Sequence, residues 1–374
     1  MFQKENRKNA YVTVWFLFGI LLCFTVADIV LRFIPRNGQE SVGATRPRLS
    51  YENVGDGRFS ASYSRYVDKY FAGRDNLASV VNYVEVLSNK RVIQDVYVTE
   101  DDYYIQRHLP THYTKELLDE RLADFERLLE DYKEARVLLI PTQDSVMREK
   151  LPWSAPYVEE ESLLERAAAH LGEEHVINVF EEFRAKREQE LYLATDSRIT
   201  SIGAYYVYKG WAGAGGDRPI WYQLDDMITV TEKYAGRLVR TVGFTNKVEP
   251  LQVFTQTLET PVIVTYDYEK VSGSFYEPAR LDGEDPYDYF LDGEHRLTVI
   301  DTQTDNGKVL FVIKDKNGNT VLPLIAPHYA RIYAVDMDYF SADMKEFMDS
   351  CNIYGKMDVL VVCGMDAFMD NFTY

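Results

Sequence analysis

The longest run of hydrophobic positions lies near the start of the chain. Residues 11–27 contain no charged side chain, and three aliphatic residues continue the run after Asp28. Because a helix rises about 1.5 Å per residue, about 20 residues cross the hydrocarbon core of a bilayer. The pattern therefore predicts a transmembrane helix over residues 11–33, with Asp28 and Arg32 near enough to its end to reach the interface.

The charges that flank this run predict its orientation. Lys4, Arg7 and Lys8 precede it and are opposed only by Glu5. The positive-inside rule then leaves residues 1–10 as a cytoplasmic tail and places the rest of the chain outside. The predicted location is the cell membrane, with a single pass. A cleaved signal peptide is the alternative, but the apolar run is longer than the usual h-region of about 7–15 residues.

After the hydrophobic run, the chain changes from an aperiodic segment to regular patterns. Residues 34–58 are rich in Pro, Gly, Asn and Ser and indicate a linker, so the extracytoplasmic domain covers residues 59–374. Helical spacing of apolar residues predicts a helix on each side of Gly73, and two short aromatic runs within residues 96–105 predict a hairpin. Residues 113–134 predict a charged amphipathic helix.

Short apolar runs without alternation indicate strands that are buried on both faces. Helical patterns, such as residues 160–172 and the segment after Thr195, separate most of these runs. This alternation predicts an α/β fold with a doubly wound, mostly parallel sheet. Residues 213–300 instead alternate and turn often, which predicts a β-rich insertion. The apolar runs are residues 137–140, 176–179, 309–313, 331–335 and 359–363.

Composition and charge narrow the class of protein. The chain has 41 Lys and Arg against 59 Asp and Glu, a net charge of −18, so it lacks the basic balance of a nucleic-acid-binding protein. Its 3 cysteines are too few for a disulfide scaffold, and without a C-x-x-C pair a thiolate zinc site is not expected. Whether Cys351 and Cys363 pair stays open.

The 6 histidines show no spacing typical of a metal site, so we expect neither a metal nor a cofactor. His108 and His112 are close in sequence, but Pro110 between them favours a loop. Both are therefore predicted to be ordinary surface residues. His328 follows Pro327 and is predicted to pack locally.

Several spaced segments, taken in order, resemble one family. They resemble the DHHW family of membrane-anchored, SGNH-hydrolase-like proteins, which is similar to the alginate O-acetyltransferase components of polysaccharide acetylation. The resemblance spans residues 59–374 and implies an SGNH-hydrolase-like, flavodoxin-like sheet. The segments are residues 70–75, 137–141, 150–152, 192–206, 308–319 and 328–340.

The catalytic residues of that family are not kept. Where its motif has Asp, His, His and Trp, this chain has Asp196, Ser197, Arg198 and Ile199, and the serine of the family's Lys-Asp-Ser elbow is replaced by Lys316. Acyl transfer of this type needs a hydroxyl nucleophile and a base that accepts its proton. An arginine cannot take a proton at neutral pH, and a lysine has no hydroxyl. The resemblance therefore implies a degenerate triad at Asp196, Arg198 and Lys316, with no catalytic residue.

Four neighbouring positions are expected beside the degenerate triad: Ser197, Asp315, Asn319 and Asp366. Ser197 is the obvious substitute nucleophile, but no histidine lies near it in sequence. An ionised Asp366 in the turn after the last strand would be a poor oxyanion donor.

The charges of these positions allow two interpretations. If the fold is kept, two acids and two bases converge, and they would form an ion-pair cluster. That cluster would rigidify the emptied site or offer Arg198 to an anionic sugar or phosphate. The alternative is a set of solvated charges at a loop rim. The converging residues are Asp196, Arg198, Asp315 and Lys316.

The resemblance implies an extracytoplasmic accessory of cell-surface polysaccharide O-acetylation that is itself inactive. Its implied partners are a membrane-bound O-acyltransferase and a surface polysaccharide, with the membrane contacted through the N-terminal helix. Two alternatives stay open. An active O-acetyltransferase or esterase with a rearranged site would place a Ser or Thr within hydrogen-bond reach of a His. A plain surface interaction domain would have a shallow, filled pocket.

Overall fold

The computed structural model describes most of the chain after residue 73, together with a few single residues between 14 and 62. The continuous ranges are residues 74–215, 219–352 and 357–374. The predicted anchor and linker lie outside the described residues, apart from those single positions. No helix within the described ranges has both the length and the apolar composition needed to span a bilayer.

The chain divides into two compact units, residues 1–85 and 86–374. The boundary falls within helix α1, and the other elements belong to the second unit. The helices are α1 Arg74–Leu87, α2 Lys115–Asp131, α3 Gln143–Val146, α4 Glu160–Leu171, α5 Phe180–Ala185, α6 Ser201–Gly215, α7 Arg237–Val242, α8 Thr255–Glu259, α9 Gly318–Ile325, α10 Met344–Cys351 and α11 Met365–Asn371. The strands are β1 Val92–Ile93, β2 Val96–Val98, β3 Tyr104–Gln106, β4 Arg136–Ile140, β5 Val176–Ile177, β6 Met227–Tyr234, β7 Glu249–Phe254, β8 Val262–Tyr266, β9 Lys270–Ser272, β10 Leu297–Thr302, β11 Val309–Lys314, β12 Arg331–Asp336 and β13 Met357–Gly364.

An eight-stranded sheet forms the centre of the second unit, in the order β5-β4-β13-β11-β12-β10-β8-β9. The pairings from β5 to β12 are parallel, and those from β12 to β9 are antiparallel. All five of the predicted apolar runs form strands in the parallel part. The protein is therefore a mixed α/β fold built on a large mixed sheet.

The position of β13 distinguishes this sheet from the flavodoxin-like order that the sequence predicted. Numbered along the chain, the five parallel strands lie in the order 2-1-5-3-4, whereas flavodoxin-like sheets have 2-1-3-4-5. β13 lies between β4 and β11 and pairs with both in parallel. Its residues from Val359 to Gly364 are all buried, which explains its uninterrupted apolar run.

The strands of residues 213–300, where the sequence predicted a β-rich insertion, belong in part to the main sheet. β10 and β8 extend the main sheet, and β9 forms its edge. Only β6 and β7 form a ribbon of their own. Burial alternates along β8, where Val264 is buried and Ile263 is exposed. That alternation is typical of an antiparallel strand with one solvated face.

A small sheet of β1, β2 and β3 contains the predicted hairpin. Helix α7 packs against this sheet through its apolar side, which leaves Arg237 and Arg240 exposed on the other side. The apolar cluster between them comprises Ile93, Val96, Val98, Tyr104, Leu238, Val239 and Val242.

The two cysteines of the described chain are buried and free. Cys351 ends helix α10, and Cys363 lies within β13. The question that the sequence left open is therefore answered, since Cys351 and Cys363 do not pair.

Candidate functional site

A cavity of about 1030 Å³ opens at the carboxyl ends of β11 and β13. These two strands pair in parallel, so the loops that follow them lie side by side. Asp315 and Lys316 follow β11, and Asp366 lies in the first turn of α11 after β13. Ser197 and Arg198, in the loop before α6, line the same cavity. The fold thus brings these five expected positions to one space.

The other two expected positions lie behind the cavity wall. Asp196 is fully buried beneath Arg198. Asn319, in α9, is 1% exposed, and its Nδ2 donates to the carbonyl of Gly293 at 2.7 Å. Asn319 therefore ties α9 to the turn before β10 and does not face the cavity.

Arg198 is held by two carboxylates. Its Nε lies 2.8 Å from Asp196 Oδ1, and its Nη2 lies 2.5 Å from Asp196 Oδ2. Nη1 and Nη2 also donate to the two oxygens of Asp285, at 2.8 and 3.1 Å. The guanidinium lies over the ring of Tyr287, 4.2 Å from its centroid. Because its donors are directed to two carboxylates, Arg198 is not presented to an anionic sugar or phosphate in this arrangement.

The environment of Asp196 keeps this carboxyl ionised. Burial alone would raise its pKa, but the charge and hydrogen bonds of Arg198 outweigh burial and lower the pKa from 3.8 to about 2. The hydroxyl of Tyr234 and the backbone N–H of Arg237 each donate to Asp196 Oδ2 at 2.8 Å. Asp196 is thus fully paired in the interior.

Lys316, at the expected nucleophile position, is enclosed by carboxylates. Its Nζ lies 2.8 Å from Asp288 Oδ1, 3.0 Å from Asp285 Oδ2 and 3.5 Å from Glu294 Oε1. Burial and the nearby Arg198 would lower the pKa of Lys316, but the carboxylates outweigh them and raise it. The ammonium therefore stays protonated at neutral pH. Asp285 joins Lys316 to Arg198, and no motif in the sequence pointed to that residue.

Asp315 connects loops and contacts neither cation among the described residues. Its Oδ1 accepts the N–H of Asn317 at 2.9 Å, and its Oδ2 accepts the N–H of Gly364 at 3.0 Å. The Oδ1 of Asn317 in turn accepts the N–H of Ile199 at 3.1 Å. Burial raises the pKa of Asp315 to about 6. The ion-pair cluster is therefore built with Asp285 in the place expected for Asp315.

His108 is not the ordinary surface residue that the sequence predicted. It is 5% exposed and lines the cavity. Its Nδ1 lies 2.9 Å from Asp144 Oδ1, and its Nε2 lies 3.6 Å from Asp366 Oδ2. Burial would lower the pKa of His108, but the two carboxylates outweigh burial and raise it well above 6.5. His112 lies at the surface beside Asp370.

A second carboxyl lies behind His108. The hydroxyl of Thr142 is 2.7 Å from Asp144 Oδ1 and 2.6 Å from Glu160 Oε1. A hydroxyl has one proton, so it can donate to only one carboxyl, and the other must carry a proton of its own. Burial and the charge of Asp144 raise the pKa of Glu160 to about 8, which identifies Glu160 as the protonated carboxyl.

These groups do not make a nucleophile and base within the described part of the cavity. The carboxylates beside both ring nitrogens raise the pKa of His108, which favours the imidazolium over the neutral ring that accepts a proton. Ser197 Oγ lies 3.4 Å from Nη2 of Arg237. In the described ranges, no three His, Cys, Asp or Glu side chains are arranged to hold a metal ion. Ion pairs thus occupy both cations of the degenerate triad.

The same fold occurs in known structures of low sequence identity. A DHHW family protein from Eubacterium siraeum DSM 15702 matches with a TM-score of 0.58 and 18% identity, over 75% of this chain and 95% of that one. Bacillus cereus PatB1, solved with a sulfonyl adduct, matches with a TM-score of 0.59 and 16% identity, over 74% and 97% of the two chains. The predicted resemblance to the DHHW family is confirmed at the level of the fold.

A more distant match is the O-acetyltransferase domain of Pseudomonas putida AlgJ, with a TM-score of 0.45 and 12% identity, over 74% of this chain and 92% of that one. No protein-family model matches the chain, and no curated protein matches it. The relationship therefore rests on the shared fold of the first two structures.

Proposed function

We propose that this protein is a catalytically inactive accessory of cell-surface polysaccharide O-acetylation. The observation that carries the proposal is that ion-paired cations occupy the two positions at which acyl transfer would need a base and a nucleophile. Arg198 pairs with Asp196 and Asp285 there, and Lys316 pairs with Asp285 and Asp288. An ion-paired guanidinium is not a neutral base, and an ion-paired ammonium is not a hydroxyl nucleophile, so neither residue replaces the missing catalytic group.

The proposal includes a place in the cell and two partners. Residues 11–33 would anchor the protein, with residues 1–10 in the cytoplasm and the main domain outside. A membrane-bound O-acyltransferase would supply the chemistry, and this protein would hold the polysaccharide in its open cavity. The fold shared with the DHHW family protein and with PatB1 supports the family resemblance from which this part of the proposal is taken.

The pair formed by His108 and Asp144 favours a second candidate, an esterase or acyltransferase with a rearranged site. In that case Ser197 would have to be the nucleophile, because it is the hydroxyl of the degenerate motif that borders the cavity. The raised pKa of His108, caused by Asp144 and Asp366, argues against it, since a serine needs a neutral base. Ester turnover separates the two candidates.

The test measures hydrolysis of p-nitrophenyl acetate and of an acetylated glycan by the full-length protein, beside Ser197→Ala and His108→Ala variants. We expect all three proteins to stay at the background rate. Turnover that disappears in either variant would replace the accessory function with the rearranged enzyme.

A cellular test addresses the accessory function directly. Deletion of the gene should lower the acetyl content of the surface polysaccharide, and Ser197→Ala should restore it as well as the native protein does. An unchanged acetyl content after deletion would contradict the proposal.

A further inference from the structure

In the part of the chain that the structure describes, two arginines on one wall of the cavity have no carboxylate partner. Arg237 and Arg240 lie on the exposed side of α7 and line the cavity. Nη2 of Arg237 lies 3.4 Å from Ser197 Oγ, and Nη1 of Arg240 donates to the carbonyl of Ala235 at 2.7 Å. Neither forms an ion pair with a carboxylate in the ranges that the structure covers. In a chain with a net charge of −18, available carboxylates are plentiful, so unpaired arginines are unexpected.

A third arginine continues this wall. Arg107 follows β3, the strand against which α7 packs, and it also lines the cavity. Its Nη2 contacts Asp95, but its Nε is buried and has no hydrogen-bond partner. A buried donor without an acceptor costs free energy unless a ligand or water supplies one. We call Arg107, Arg237 and Arg240 the arginine wall.

The remaining cations of the cavity differ from Arg237 and Arg240 because each forms an ion pair with a carboxylate. Arg198 and Lys316 share Asp285, and Arg280 lies 2.7 Å from Asp292. Three of the carboxylates that line the cavity also have cationic or histidine neighbours. Asp288 pairs with Lys316, Asp366 lies beside His108, and Asp370 lies beside His112. Among the described residues, the lining cations without an ion pair therefore lie on α7, and Arg107 beside them has a free buried donor.

We propose that the arginine wall binds an anionic substituent, a carboxylate or a phosphate, of a glycan that lies in the cavity. The glycan itself rests on the proposed function, whereas the charge selectivity is a separate claim. A guanidinium presents paired N–H donors that match two oxygens of either group. At about 1030 Å³ the cavity is at the upper end of ligand sites, so several linked sugar units fit. The wall lies outside the segments of the degenerate triad.

The test measures binding of three polymers to the full-length protein by calorimetry: a polyuronate, a poly(glycerol phosphate) and neutral dextran. It is repeated with Arg237→Gln/Arg240→Gln. The matched control is Arg166→Gln/Arg331→Gln, which removes the same charge from two half-exposed arginines outside the cavity. Melting temperatures verify that each variant is folded.

We expect at least one anionic polymer to bind, and dextran to bind at least about 10-fold more weakly. Loss of the two arginines should weaken anion binding at least about 10-fold, because each charged hydrogen bond contributes about one such factor. The control should change affinity by less than about 2-fold. Binding of the anionic polymer to the native protein should also weaken in about 1 M salt, where the Debye length is about 3 Å. This measurement tests the proposal even if the double variant fails to fold.

The polyuronate and phosphate arms identify which anion the arginine wall prefers. Equal binding of dextran and the anionic polymers would overturn the anion site while leaving a glycan-binding accessory intact. An unchanged affinity in the folded double variant would also overturn it. Ester turnover bears on the accessory function alone, so the two proposals fail on different measurements.

Discussion

Replacement of Arg198 by methionine should destabilise the folded protein strongly. The change keeps most of the side-chain length but leaves Asp196 without its bidentate partner at a position with no solvent exposure. Removing one member of a buried ion pair costs about 3–5 kcal/mol, because the remaining charge is uncompensated. At about 2–4 °C per kcal/mol, the melting temperature should fall by roughly 6–20 °C at pH 7.

The pKa of Asp196 gives a second measure of how much its ionised carboxylate contributes to the free energy of unfolding. Its pKa is lowered from 3.8 to about 2, and each pKa unit corresponds to about 1.36 kcal/mol. The ionised carboxylate therefore contributes about 2.4 kcal/mol of stability above pH 4, which is lost as the pH falls toward 2. Without Arg198, burial raises the pKa of Asp196, so acid can neutralise it. The gap between native protein and variant should narrow between pH 7 and pH 5.

The assay is thermal unfolding followed by circular dichroism at pH 7 and pH 5. The matched control is Arg166→Met, which breaks a bidentate pair with Asp119 at the surface, with N–O distances of 2.7 and 2.6 Å. An exposed pair contributes less than about 1 kcal/mol. A loss for Arg198→Met no larger than that of the control, or a gap that widens in acid, would refute the reasoning.

Three further predictions concern buried groups near the site. Native Glu160 has a pKa of about 8, so between pH 4.5 and 8 it keeps a proton that the unfolded chain releases, and the native protein loses stability as the pH rises through this range. Glu160→Gln should remove this loss and should be at least as stable as the native protein at pH 8. Melting temperatures across this range measure the difference. Lys314→Met should cost about 3–5 kcal/mol, because the Nζ of Lys314 lies 2.8 Å from Asp336 Oδ2 and both side chains are 1% exposed; denaturant unfolding measures it. Gly236→Ala should cost about 1–3 kcal/mol, because its Cβ would lie 2.2 Å from the carbonyl oxygen of Thr195; thermal unfolding measures it.

Matched variants make these three predictions sharper. Gly213→Ala should be neutral or stabilising, since nothing beyond its chain neighbours and its own helix backbone lies within 4 Å of the added Cβ, and alanine favours a helix. Adding Asp336→Leu to Lys314→Met should recover most of the lost stability, because an apolar pair can replace a buried ion pair. Equal losses for the two glycine variants, no recovery in the double variant, or a retained alkaline loss in Glu160→Gln would contradict the respective explanations.

The parts of the fold that could be predicted are those with a local pattern. The strands β4, β11 and β13 are buried along most of their length, so each has an uninterrupted apolar run in the sequence. The alternation within residues 213–300, which include β7 and β8, also predicted strands. The pattern does not show whether these strands extend the main sheet or form a separate sheet, because that depends on which edge of the main sheet is free to pair.

The site divides in the same way. Arg198 and Lys316 could be placed beside the cavity because they occupy recognisable motif positions. Their shared partner Asp285 is 87 positions from Arg198 along the chain, and Asp144 is 36 positions from His108. Neither contact has a local spacing that a single sequence can display. The burial of His108 follows from tertiary packing, so Pro110 nearby was a poor guide to its environment.

The central position of β13 sets an order for folding during synthesis. Both of its neighbours, β4 and β11, are made earlier, yet neither can complete its pairing until residues 357–364 leave the ribosome. Until then the nascent chain presents two apolar strand edges that face each other across a gap, and such edges are prone to pair with other chains. Closure of the gap joins segments more than 200 residues apart in sequence, which makes it a slow step. A nascent chain of this protein would therefore depend on protection of its unfinished sheet until the last described strand is in place.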